Sequence, residues 1–558
     1  MIQAKLSGSP TIRGSTWLSN GGPTARANTG TRAMAMRSAR SRQEFIAPGL
    51  YRVDMETYDA LVIGSGHNGL AAAALLGDAG LRVLILERSE RVGGATVSER
   101  HRWPGYTISA ASYVCSLLDP WLIDRLDLRS HGYDAYRKDP ASFTPLLDGR
   151  SLLLGADDTA NGKEIARFDP ADLAGFAAFE REAATLGSAL FEHFGDMEPR
   201  FDAIEPGMRA ALEGSAAALV ERHVRTPVLQ ATLATDGLIG TYCGPFDAGT
   251  GYVLAHHYAG RAFGVQGAWG FVRGGMGSIS QALLSAAQAR GVRAFTDANV
   301  TRLLVEGDRV VGAVTEDGRE FRARAILSNA HPVTTYRTLL GEAHLDDATT
   351  RALARWQSIG PALKLNLALG ELPNFLARPG TTLQPHHRAT IHVAPDLAFL
   401  QRAHDDARSL GESREPMLEC FMQTPTDPSL APPGKHILSI FAQYFPYDRP
   451  GGWDAARRTA AADKVIALLA RYAPNIPNAI EAQQLLVAPD LEERFGLIGG
   501  HIFHGELLPG QIFDGRFGVR APVRGLYLCG SGTHPGGCVS GFPGRRAAQA
   551  VLADRVSA

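Results

Sequence analysis

No two of the five cysteines, Cys115, Cys243, Cys420, Cys529 and Cys538, form a CxxC pair, and no Cys/His cluster has zinc spacing. This argues against a structural zinc site and against a redox-active cystine. The expectation is small residues packed beside glycines, in a reducing compartment. Net charge is also missing: 56 Lys and Arg face 57 Asp and Glu, so no global field draws the chain to nucleic acid or an anionic membrane. No apolar run is long enough to span a bilayer.

Acids are absent from the start of the chain until Glu44, while Lys5, Arg13, Arg26, Arg32, Arg37, Arg40 and Arg42 accumulate among Ser, Thr and Gly. Two readings fit. One is a transit peptide, which places the protein in the mitochondrial matrix; the other is a stretch upstream of a start at Met55, which places it in a bacterial cytoplasm. Either way residues 1–56 are expected to be a disordered extension.

The length, 558 residues, exceeds one compact core and predicts two or more domains. An apolar strand, Asp59 to Gly64, leads into Gly64-Ser-Gly-His-Asn-Gly69, a helix from Leu70 to Asp78, and a second apolar strand ending at Glu87. In this strand–turn–helix context the three glycines have separate roles. Gly64 turns the chain, Gly66 admits a pyrophosphate, and Gly69 lets the helix pack on the sheet. Asn68 lies at the helix start, whose free N–H groups favour phosphate. Glu87 stands at the spacing of a ribose-binding acid, with Arg88 beside it. The pair Gly93-Gly94, followed by Ala95, brings backbone close to the middle of a longer cofactor, which favours FAD over NAD.

A second glycine-rich loop, Gly530 to Gly544, joins a strand to the final helix. Its Gly530 and Ser531 are expected to hold a ribityl chain, and Gly537 and Val539 to border the flavin. Between the two motifs, Phe179, Ala183, Leu186, Leu190 and Phe194 mark one apolar helix face, expected to pack on a core rather than lie on a membrane. Short strands from Val300 to Thr315 read as a β-meander. The topology from about 345 to 489 is not resolved by pattern.

Phe503-His-Gly-Glu506, the runs Gly249 to His257 and Gln266 to Gly277, and Leu526 to Gly537 resemble the family of pyridine nucleotide-disulfide oxidoreductase domain-containing protein 2, a branch related to bacterial phytoene desaturases. The resemblance covers about 58–555. It implies an α/β fold: a glutathione-reductase-type (Rossmann-like) FAD-binding domain assembled from segments 57–150, 270–340 and 500–558, with a mixed α+β substrate domain from 151–269 and 341–499. It also implies that Val300 meets the adenine through its backbone. Many relatives of the fold have an acid where this chain has Ser531. Arg273 to Gly277 is glycine-rich but no ribose acid follows it, so a second, NAD(P) site is not expected.

The activity this implies is FAD-dependent oxidation by hydride transfer from a substrate C–H bond to flavin N5, on a small and apolar substrate. The alternatives are an amine or amino-acid oxidase, and a non-catalytic flavin-bearing scaffold. His256, His257, His501, His504 and His534 are candidates for polar contacts, with His534 the best placed; none is assigned to catalysis. No oligomeric state is implied; peripheral membrane contact stays open and a transmembrane segment is not expected.

Overall fold

The computed structural model describes residues 57–100 and 102–556. The expected N-terminal extension lies outside them.

Two large sheets organise the chain. In the first, Thr57–Ile63 is central, flanked in parallel by Val83–Leu86 and Glu320–Ser328. Arg293–Phe295 and Leu526–Leu528 extend the parallel set on either side. All-apolar stretches such as Val83–Leu86, fully buried, suit a sheet covered on both faces. The meander forms as expected: Val300–Glu306 and Arg309–Thr315 pair antiparallel, and the latter pairs with the first half of Glu320–Ser328. The strand that directly follows the helix Gly277–Gln288 is Arg293–Phe295; Val300 opens the next one.

Three helices, His67–Asp78, Gly277–Gln288 and Phe542–Val556, share one apolar cluster with the parallel strands. The first and last approach so closely that a Cβ on Gly544 would lie 2.0 Å from the Asn68 carbonyl oxygen. Only glycine permits that approach.

The stretch whose topology pattern leaves open supplies most of a mixed seven-stranded sheet. Its order is Ile480–Leu486, Ala362–Leu369, His436–Gln443, Met417–Phe421, Thr390–Val393, Ser142–Pro145 and Ser151–Leu154. Sequence order groups Ser142–Pro145 with the first dinucleotide segment, but it pairs with Thr390–Val393 in this sheet. The expected boundary at 150 therefore falls late, because a short strand's sequence does not say which sheet it joins.

Alternation in Ala362–Leu369 divides the second sheet's faces. Leu363, Leu365, Leu367 and Leu369 join a core that includes Val465 and Leu469 of the helix Ala455–Ala470. Lys364 and Asn366 turn the other way. The apolar positions Phe179, Ala183, Leu186 and Leu190 of the helix Asp172–His193 are buried, as core packing requires. No helix among the described residues is long and apolar enough to cross a membrane.

Candidate active site

The turn after the first strand is built by steric exclusion. Gly64 has φ +90°, and a Cβ on Gly69 would stand 2.2 Å from the Gly64 carbonyl oxygen. Gly66 and Gly93 form an isolated parallel bridge, and Gly94 lies directly against Gly66. Glu87 ties this loop down. One carboxylate oxygen accepts from the Ser65 backbone N–H at 2.8 Å and the Ser65 hydroxyl at 2.6 Å, and the other from the Ser89 N–H at 2.9 Å. The acid that spacing marks as a ribose ligand thus braces the turn after the first strand.

One cavity of about 1260 Å³ gathers most of the residues singled out in the sequence. Gly64, Gly66, Asn68, Glu87, Arg88, Gly93, Gly94, Ala95, Val300, Ser531 and Val539 all line it. Arg88 also donates to the Glu493 carbonyl at 2.9 Å. Gly69, Gly530 and Gly537 stand behind the wall and act through spacing. A Cβ on Gly530 would lie 2.7 Å from the Asn329 carbonyl, and one on Gly537 2.1 Å from the Phe503 ring.

The residues fit a dinucleotide. At the start of the twelve-residue helix His67–Asp78, His67 Nε2 and Asn68 Oδ1 are buried without a partner. Buried polar atoms are normally satisfied, so this end of the helix is equipped for a polar ligand. Burial pushes the His67 imidazole down to about 4, so it stays neutral near pH 7. The volume exceeds that of ordinary single-ligand clefts, roughly 300–1,000 Å³, as a dinucleotide plus substrate requires.

Arg516, not anticipated from sequence, clamps the far side. Its buried guanidinium donates to the carbonyls of Phe503 (2.9 Å), Glu506 (3.0 Å), Gln511 (3.0 Å) and Ser531 (2.7 Å). Burial lowers its pKa to about 10, so it remains charged.

Of the five histidines singled out in the sequence, His257 and His504 reach the cavity; His256, His501 and His534 do not. His534, the best placed by sequence, turns away to the His193 carbonyl at 2.9 Å. Its loop borders the site, but the ring packs between Phe194 and Phe513.

The cavity continues onto the second sheet, where a row of side chains crosses neighbouring strands in register: Lys364, Phe441, Glu419 and His392. Lys138, Thr390 and Phe421 stand beside this row, and Asp236 faces it. Lys138 donates to Thr390 and Lys364 to Ser439. The Lys364 ammonium also lies 4.1 Å from the centroid of the Tyr113 ring. Burial drives Lys364 down to about 7; it also pushes Lys138 down and Glu419 up, each shift opposed by the attraction between the two. His392 is lowered to about 3 by burial and Lys138. Sequence reasoning misses all of these. The available signal is a single charge inside an otherwise apolar strand, in Ala-Leu-Lys-Leu and Met-Leu-Glu-Cys-Phe.

Among the described residues no His/Cys/Asp/Glu group can hold a metal ion, and all five cysteines are free.

The family model described as "Flavin containing amine oxidoreductase" matches residues 69–552. Pyridine nucleotide-disulfide oxidoreductase domain-containing protein 2 of Mus musculus is 39% identical, over 89% of this chain and 94% of its own length. Phytoene desaturase (lycopene-forming) of Pseudescherichia vulneris is 28% identical, over 87% of this chain and 96% of its own. Among solved structures, cyclohexylamine oxidase from Brevibacterium oxydans superposes with a TM-score of 0.57 at 17% identity, covering 90% of this chain and all of that one, a likeness of fold. The chain belongs to the flavin containing amine oxidoreductase family, in the branch of pyridine nucleotide-disulfide oxidoreductase domain-containing protein 2.

Proposed function

We propose that the protein is an FAD-dependent oxidoreductase that removes a hydride from a C–H bond of a small substrate with a lipophilic body. One observation carries the reading. Loops from opposite ends of the chain, around Gly66 and Ser531, line a single cavity that runs on to a chamber walled by the second sheet. Five parallel strands joined to an antiparallel meander support a glutathione-reductase-type dinucleotide domain.

In this reading Gly66, Gly93 and the start of the first helix hold the pyrophosphate. Glu87 meets a ribose, Val300 the adenine, and Ser531 and Val539 the ribityl and flavin end. FAD supplies two-electron oxidation when bound. The chain's own part is orientation and exclusion of water. Leu154, Ile165, Leu233 and Ile239 line the chamber with apolar surface, while Leu173 (39% exposed) and Val265 (43% exposed) sit at its mouth. Because the cavity reaches exposed residues, a sealed flavin scaffold is disfavoured.

The test is an anaerobic screen of the purified protein for bleaching of its yellow flavin band. Acyl chains, isoprenoids and amines are offered in turn. Bleaching by an apolar-bodied compound is expected; a protein that purifies colourless and takes up no FAD overturns the reading.

A further inference from the structure

The chamber's polar row is costly if the substrate is a pure hydrocarbon. Glu419 is 8% exposed, and its Oε2 has no hydrogen-bond partner. His392 Nδ1 beside it is also unpartnered. Lys138, equally buried, has three donors, and one goes to Thr390. An orphaned buried acceptor and a buried cation with donors to spare, on adjacent parts of one wall, call for a ligand that donates and accepts at once.

Charge decides which ligand. Inside the chamber Lys138 and Lys364 face Asp236 and Glu419; Glu180 accepts from the Tyr258 hydroxyl at 3.1 Å. The rim adds Arg137 and Arg181 against Asp158. Bases and acids number four each, and burial works against the charged forms of Lys364, Lys138 and Glu419 alike, so an ion of either sign finds little surplus countercharge and loses its hydration. An ammonium head brings no acceptor. The Tyr113 ring face that would hold it by cation–π attraction is already taken by Lys364. A carboxylate brings no donor and adds a charge beside Glu419. A hydroxyl supplies one donor and two lone pairs without charge.

Resting on the flavin reading above, we infer that this chamber is built for an uncharged hydroxyl-bearing substrate. The hydroxyl donates to Glu419 and accepts from Lys138, and the apolar chain runs past Leu233 and Ile239 toward Leu173 at the mouth.

The experiment uses the FAD-loaded protein and four probes of equal chain length: decanol, decylamine, decanoate and decane. FAD content is measured first; binding of each probe is then measured by equilibrium dialysis. Decanol should bind about tenfold tighter than the other three, the worth of one hydrogen bond to a buried charge. In the double variant Glu419→Leu/Lys138→Met, which removes one charge of each sign, the preference of decanol over decane should vanish while FAD content stays unchanged. Tighter binding of decylamine or decanoate overturns the inference, as does a decanol preference that survives in the double variant. Loss of FAD from the native protein would instead strike the flavin reading beneath it. Retained FAD with no decanol preference strikes this inference alone.

Discussion

Asn68 and Ser531 stand 463 positions apart in the chain, and the Asn68 side-chain amide donates to the Ser531 hydroxyl over 3.2 Å. This contact closes the N-terminal helix start against the C-terminal loop, at the place where both border the cavity. Ser531→Ala leaves the amide short of a partner in a buried site. FAD affinity should fall about fivefold, in line with roughly 1 kcal/mol for one neutral hydrogen bond. Flavin fluorescence titration of the apoprotein reads it directly.

Gly66 and Gly69 should separate cofactor binding from folding. A Cβ on Gly69 meets backbone at 2.2 Å, while one on Gly66 meets the flexible Asn329 amide at 2.7 Å. Gly69→Ala is expected to cost on the order of 3 kcal/mol of stability and to purify colourless. Gly66→Ala should keep an apoprotein Tm near that of the native chain while FAD binding weakens about a hundredfold, because the methyl intrudes where phosphate approaches. Equal Tm losses in the two variants would contradict this division.

Lys364 gives a signed pH effect. Burial lowers it from 10.5 to about 7, against the attraction of Glu419. Below pH 7 the lysine is charged in both folded and unfolded chains, so the folded state carries the full cost of burying it. Between 7 and 10.5 the unfolded lysine keeps its proton and the folded one does not, so that cost lifts as pH rises. Lys364→Met should therefore be more stable than the native protein at pH 6, on the order of 2 kcal/mol, and no more stable at pH 10.5. Urea unfolding at the two pH values measures it.

Arg516→Met leaves four carbonyl oxygens without their donor. A loss on the order of 3 kcal/mol is expected, with FAD retention falling in parallel because one of the four belongs to Ser531. Arg516→Lys, with three donors and no planar fork, should recover only part of it. Thermal unfolding with and without added FAD distinguishes a clamp on the loop from a general packing defect.

Ala177, on the helix Asp172–His193, lines the cavity near its mouth and is exposed. Ala177→Trp should leave stability within about 0.5 kcal/mol, as for most surface substitutions. It should lower kcat/KM for a long-chain substrate about tenfold by narrowing the entrance, with FAD content unchanged.

The parts of the site readable in the sequence are those written contiguously. Gly64 to Gly69 and Glu87 belong to one βαβ unit, so spacing alone brings them together at one turn. Gly530 to Val539 is legible as a second strand-to-helix loop, but not the direction of each side chain; hence His534 looks well placed in sequence and points elsewhere in space. The row of Lys364, Glu419 and His392 is illegible because it exists only through register among strands far apart in the chain. The same long-range pairing hides the second sheet and draws Ser142–Pro145 away from its sequence neighbours.

The parallel sheet that opens at Thr57 receives its edge strand, Leu526–Leu528, only from the tail of the chain, and the closing helix Phe542–Val556 seals against Asn68. A nascent polypeptide still tethered to the ribosome therefore has half a nucleotide cradle and nothing to complete it. A stop just before residue 526 removes both that strand and the closing helix while leaving the other parallel strands of the sheet in the chain.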